Sequence, residues 1–232
     1  MHFVSKWNPS WLPTDPFRHR PAIVANWVFD TAFGFRLPIS GKSHSKGEST
    51  GPLGDSSMDT KASSCFISEM EKIDWIEKVK AFRASGSFEN TMQYLLEVMK
   101  DNPSDPVVHY QVAWTHDALG RESDAAPAYE KAMALGLSGN DLEGAYLGLG
   151  STYRCLGDYE NSKRILEKGI SRFPENGALK AFLAMTLFNL RDHEQAMELL
   201  IKELTKSSND PAIQTYRRAL MNYSDKLNET FD

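Results

Sequence analysis

From residue 72 onward, apolar residues recur at steps of three and four. Tyr146, Leu149, Tyr153 and Leu156 follow that step, as do Ala196, Leu199, Leu200 and Leu204. Such steps line one face of a 3.6-residue helix. Short polar turns interrupt the runs at Ser85–Glu89, Leu119–Glu122, Leu156–Glu160 and Leu190–Glu194. The pattern predicts helices of about a dozen residues joined in pairs, too short to bury their apolar faces alone and stable only when pairs stack.

The turns keep a period. Gly86, Gly120, Gly157 and Arg191 occupy equivalent places, with spacings of 34, 37 and 34 residues. The three extra residues fit a loop at Leu137–Asp141. Small residues keep the same phase: Ala113, Gly150 and Ala184 seven before a turn, and Ala125, Ser162 and Ala196 five after it. Facing small residues let two helices approach closely. Pro103 and Pro174 each fall 17 residues after a turn, where they end the second helix of a pair.

On these residues the chain resembles the tetratricopeptide repeat family, and more loosely its small stand-alone bacterial members. Four copies are readable at 72–105, 106–142, 143–176 and 177–210. The second carries Ala113, Gly120, Ala125, Tyr129 and Ala132; the third carries Tyr146, Leu149, Gly150, Tyr153, Gly157 and Pro174. The first keeps Trp75, Gly86 and Pro103 but has Val79 and Thr91 at the small positions, and the fourth has Arg191 for the turn glycine. The resemblance implies an all-α, right-handed solenoid of helix-turn-helix hairpins. After it, Ile213, Tyr216, Leu220, Tyr223 and Leu227 make one more apolar face, so 211–228 is expected to be a capping helix begun by Pro211.

Ahead of the repeats the composition changes. Residues 1–57 hold six of the 11 prolines, five of the 15 glycines and three of the five tryptophans, Trp7, Trp11 and Trp27. This segment is expected to be disordered, with 58–71 leading into the first helix; it reads as a partner-binding appendage, a tail with no structural role, or a stretch preceding a start at Met58. From Ser40 to Ser64, 12 of 25 residues are Ser or Gly, as in a flexible linker. Asn26 and Asp30 interrupt the apolar stretch Ala22–Phe33, and Pro9, Pro13 and Pro16 stand where a leader would need an unbroken run. No membrane partner and a cytoplasmic location are therefore expected.

Charge narrows the partners. The net charge is −5 overall, +2 on residues 1–57 and so −7 on the rest. That argues against nucleic acid, whose phosphates need clustered Lys and Arg. Cys65 and Cys155 have no paired spacing, which fits a reducing compartment.

Candidate chemistry is thin. His109 and His116 are seven residues apart near Asp117, but both are expected to pack within the hairpin. Gly41-Lys42-Ser43 ends like a phosphate loop, yet Arg36 stands where that motif needs glycine. Gly144, Gly148 and Gly150 are expected to permit close helix packing. The sequons at Asn222 and Asn228 have no secretory leader to give them meaning. Pro127 is expected near the start of its helix, at the fourth residue if Ser123 caps it. No catalytic residue, metal or cofactor is expected.

The resemblance places the first helix of each hairpin on a concave groove. Its groove-facing positions are Lys80, Arg83, Tyr110, Trp114, Asp117, Leu147, Arg154, Met185 and Phe188. The family's clamp for a chaperone's C-terminal carboxylate would need basic and Asn residues at Ile76, Lys80, Gln111, Gly144 and Gly148, and only Lys80 suits. The expected function is thus a non-enzymatic protein-interaction module that holds a peptide segment or partner helix. The alternatives are a homo-oligomeric assembly protein and, less favoured, an enzyme with its site in residues 1–57.

Overall fold

A computed structural model describes residues 75–231 of the chain. The expectations for residues 1–57, the 58–71 lead-in, the Gly41-Lys42-Ser43 run and Cys65 lie outside those residues. Within them the architecture is all-α: α1 (residues 75–84), α2 (Phe88–Asp101), α3 (Pro106–Ala118), α4 (Glu122–Ala134), α5 (Gly139–Cys155), α6 (Tyr159–Arg172), α7 (Gly177–Asn189), α8 (His193–Ser207) and α9 (Pro211–Tyr223).

Each helix starts and stops for local reasons. Asp105, Asp158, Asn176, Asp192 and Asp210 stand just before a helix, and each side chain accepts a backbone N–H of the first turn. These bonds satisfy donors that have no partner within the helix. Pro106 and Pro211 occupy first positions, where no N–H is missed. The four periodic turns close alike. Gly86, Gly120, Gly157 and Arg191 all adopt positive φ, between 68° and 78°. The next residue then donates back across the turn: Ser87 to Phe82, Arg121 to His116, Asp158 to Tyr153 and Asp192 to Leu187. This closure takes up carbonyls that the helix end leaves open.

The small positions do what their phase predicts. Ala113, Ala125, Ser162, Ala184, Ala196 and Gly150 are all buried. A Cβ on Gly150 would lie 2.5 Å from Leu166 Cγ. Around these close approaches run three apolar clusters. Val79, Leu95 and Val108 anchor the first, Tyr129, Ala132 and Leu149 the second, and Leu166, Leu179 and Leu187 the third. Val107 and Ala128 pack against both the first and the second, and Tyr146 and Phe173 against both the second and the third, so the core runs on from pair to pair.

Stacking defines two sides. Helices α3, α5 and α7 touch one another in succession, whereas α4, α6 and α8 make no such contact. First helices therefore crowd the inner side of the solenoid and second helices spread over the outer side.

Two local expectations change. Helix α4 begins at Glu122 after Arg121, so Ser123 does not cap it and Pro127 is its sixth residue. Pro127 and Ser123 are both exposed, so water can reach the carbonyl left without a donor. Helix α9 packs on α8 but buries no side chain completely: Ile213 and Leu220 are half-buried, while Tyr216 stays 65% exposed.

Candidate functional site

The residues expected to face a groove fall into two groups on the first helices of the hairpins. The first is centred on Arg83, which reaches from the end of α1 to α3. One terminal nitrogen donates to the Gln111 side-chain oxygen; the other donates to the Gln111 carbonyl and to Thr115 Oγ1, both at 3.0 Å. Its guanidinium carbon lies 3.8 Å from the centroid of the Trp114 ring. Phe88 touches the same ring at 6.0 Å between centroids. Burial lowers the Arg83 pKa to about 10, which still leaves the group charged at neutral pH. The cation is held over an aromatic face, the geometry in which a ring's quadrupole attracts it.

Asp117 lies one turn beyond Trp114. Its carboxylate accepts from Tyr129 of α4 at 2.9 Å and from Thr152 of α5 at 2.8 Å, tying three helices together. Burial pushes its pKa up to about 7, although both hydroxyl bonds pull the other way. Tyr110 is buried beside Tyr129, with ring centroids 6.1 Å apart. Both rings lean on α5 where side chains are missing. A Cβ on Gly148 would lie 2.5 Å from the Tyr129 ring, and Gly144 faces the Tyr110 hydroxyl. These glycines serve packing.

The second group lies on α5 and α7. Arg154 donates to the Asn189 side chain at 2.9 Å. Met185 and Phe188, one turn apart on α7, are exposed, Phe188 by 59%. The ring of His193 lies 4.6 Å from that of Phe188. Leu147, in contrast, is buried against Leu166, Leu183 and Leu187, so it supports the surface without forming it. Lys80 is exposed and pairs with Glu77 on its own helix.

The other candidates fall into place as structure. His109 Nε2 donates to the Pro103 carbonyl at 2.9 Å. His116 is half-buried, and burial lowers its pKa. Among the described residues, no three His, Cys, Asp or Glu side chains gather where a metal would need them. Cys155 is exposed, but partial burial of its sulfur raises the thiol pKa, the opposite of what activates a nucleophile. No described helix is long and apolar enough to cross a membrane.

Sequence reasoning missed one set of residues. Thr115, Thr152 and Thr186 are buried, each five before its turn residue, and each bonds a group from the preceding hairpin: Arg83, Asp117 and Ser162. Their 37- and 34-residue spacing matches that of the turns and was the available signal.

The family model for the tetratrico peptide repeat matches residues 106–227. Among solved structures, the chain is similar to residues 41–end of MamA from Desulfovibrio magneticus RS-1. Identity is 17% and the TM-score 0.53, over 66% of this chain and 86% of that one. A double mutant of MamA from RS-1 matches at 14% identity and a TM-score of 0.50, over 67% of this chain and 94% of the other. At such identities the likeness extends to the fold alone. No curated protein matches.

Proposed function

The chain belongs to the tetratricopeptide repeat family, and from that premise we propose that it is a non-enzymatic, cytoplasmic protein-interaction module. Its inner side receives a peptide segment or partner helix with apolar anchors. The observation that carries this reading is the exposure of Phe188 and Met185 on α7, a first helix, beside the Arg154–Asn189 pair. Trp, Tyr and Arg dominate binding hot spots, and an apolar patch rimmed by such groups suits a helix or extended segment. Trp114 offers a second anchor, with Arg83 already fixed against it.

Affinity capture with the full chain, followed by titration of the recovered partner, tests the proposal. Phe188→Ala should weaken binding by about tenfold or more with little change in thermal midpoint, because the ring is mostly exposed. Undiminished affinity in a folded Phe188→Ala variant would remove the inner side from consideration.

Self-assembly has its own support at the C-terminal end. Met197, Leu200 and Leu204 of α8 are exposed, as are Tyr216, Met221 and Tyr223 of α9. Exposed apolar surface collected at one end of a stack resembles an interface left open. Sedimentation velocity at tens of micromolar should then show species larger than a monomer. A strict monomer rejects this reading.

A further inference from the structure

The outer side holds a feature that the inner-groove reading leaves unused. Arg164, Lys168 and Arg172 follow one another at steps of four along α6, so they share one helix face. Together with Tyr146 of α5, Glu167 and Ser171 they line a shallow depression of about 730 Å³. Tyr146 is half-buried and packs edge-on to Phe173, 6.3 Å between ring centroids, which fixes it as part of the lining.

The charges there are poorly neutralised. Arg164 donates to the uncharged side chain of Asn161. Glu167, the one acid of the lining, stands 4.0 Å from Lys163. Among the described residues, the side chains of Lys168 and Arg172 show neither an ion pair nor a hydrogen bond. Residues 58–232 carry a net −7, so this row of cations runs against the charge of its own domain. Such a local excess attracts acidic groups, while the surrounding field discourages indiscriminate polyanion binding.

We propose that this outer depression of α5 and α6 binds an acidic peptide segment, whose carboxylates bridge Arg164, Lys168 and Arg172 over Tyr146. Steps of four residues place the cations about 6 Å apart along the axis. Acidic side chains at i and i+4 of a helix, or at alternate residues of an extended segment, repeat at nearly that distance. Guanidinium groups add bidentate carboxylate bonding, and Tyr146 and Ser171 offer hydroxyl donors.

The test is fluorescence anisotropy of a labelled deca-glutamate peptide with the full-length chain. Binding should weaken severalfold between 50 and 200 mM salt, because exposed charges are screened. The double variant K168Q/R172Q should lose at least fivefold in affinity, while K168R/R172K should keep it and Phe188→Ala should leave it unchanged. Circular dichroism of each variant checks folding. Absence of peptide binding, or equal binding by K168Q/R172Q, overturns the proposal. Tighter binding of a single-stranded oligonucleotide of equal charge overturns the peptide assignment. Because Phe188 serves as the control, this site and the inner groove can fail separately.

Discussion

The guanidinium of Arg83 lies against the Trp114 ring, 3.8 Å from its centroid, while both terminal nitrogens are bonded to α3. One residue from the first hairpin thus clamps the first helix of the second. The ring therefore takes part in packing the first hairpin on the second.

A double-mutant cycle on Arg83 and Trp114 should therefore give a favourable coupling of about 0.5–2 kcal/mol, the range for a cation over an aromatic face. Trp114→Ala should still destabilise less than Leu149→Ala, because Trp114 is only half-buried whereas Leu149 is 1% exposed in the second cluster. Truncating a fully buried leucine costs about 2–5 kcal/mol. Denaturant titration of the single and double variants measures both quantities. Zero coupling would mean that the stacked geometry contributes nothing.

Arg191 is the one non-glycine residue among those described with positive φ, at 68°. Glycine holds this place in the other three turns because it has no Cβ to meet the carbonyl. Arg191→Gly should raise stability by about 0.5–1.5 kcal/mol, the left-handed penalty less the entropy that glycine loses on folding. The thermal midpoint should rise accordingly. A fall would show that the exposed Arg191 side chain makes up for its strained backbone.

The turns and the small positions could be read from the chain because each repeats at 34 or 37 residues and each answers a steric demand; Gly144 and Gly148 do not repeat, but glycines spaced along one helix carry the same steric meaning. Exposure along one helix could not. Leu147 sits at a groove-facing phase, yet the close approach of α7 covers it with Leu183 and Leu187. Arg83 and Asp117 were visible as charges, but their roles depend on Thr115 and Thr152, which come from neighbouring hairpins, and on Tyr129 from the second helix of Asp117's own hairpin. Helix periodicity reports a residue's own helix. Curvature decides how near the next first helix comes, and no window of a dozen residues contains it.

Gly148 tests that closeness. Its absent Cβ would lie 2.5 Å from the Tyr129 ring, which is fully buried. In an open helix Gly→Ala would stabilise by about 1 kcal/mol. Here overpacking should win, with a net loss of about 1–3 kcal/mol for Gly148→Ala. Chemical denaturation decides the sign, and a gain would mean that α4 and α5 separate easily.

Asp117 should make stability depend on pH. An unperturbed aspartate ionises near pH 3.9. In the fold, burial keeps the proton on Asp117 until about pH 7. Local bonding agrees with this. Thr152 has one hydroxyl proton but lies within bonding distance of both Asp117 and the Gly148 carbonyl. A protonated Asp117 can donate to Thr152, freeing the threonine to satisfy that carbonyl; an ionised one competes for the same proton. Between the two pKa values the folded chain binds more protons than the unfolded chain, so raising the pH removes stability. The contribution is complete below about pH 3.9 and lost above about pH 7. Asp117→Asn has no proton to lose and keeps the shape. Its stability relative to the parent should therefore rise by about 1–3 kcal/mol from pH 4.5 to pH 8, within the 1.36 kcal/mol that each pH unit allows. Denaturation midpoints of both chains across that range give the difference directly. A constant difference would place the ionisation of Asp117 at its ordinary value and return the three-helix tie to a plain hydrogen-bonded contact.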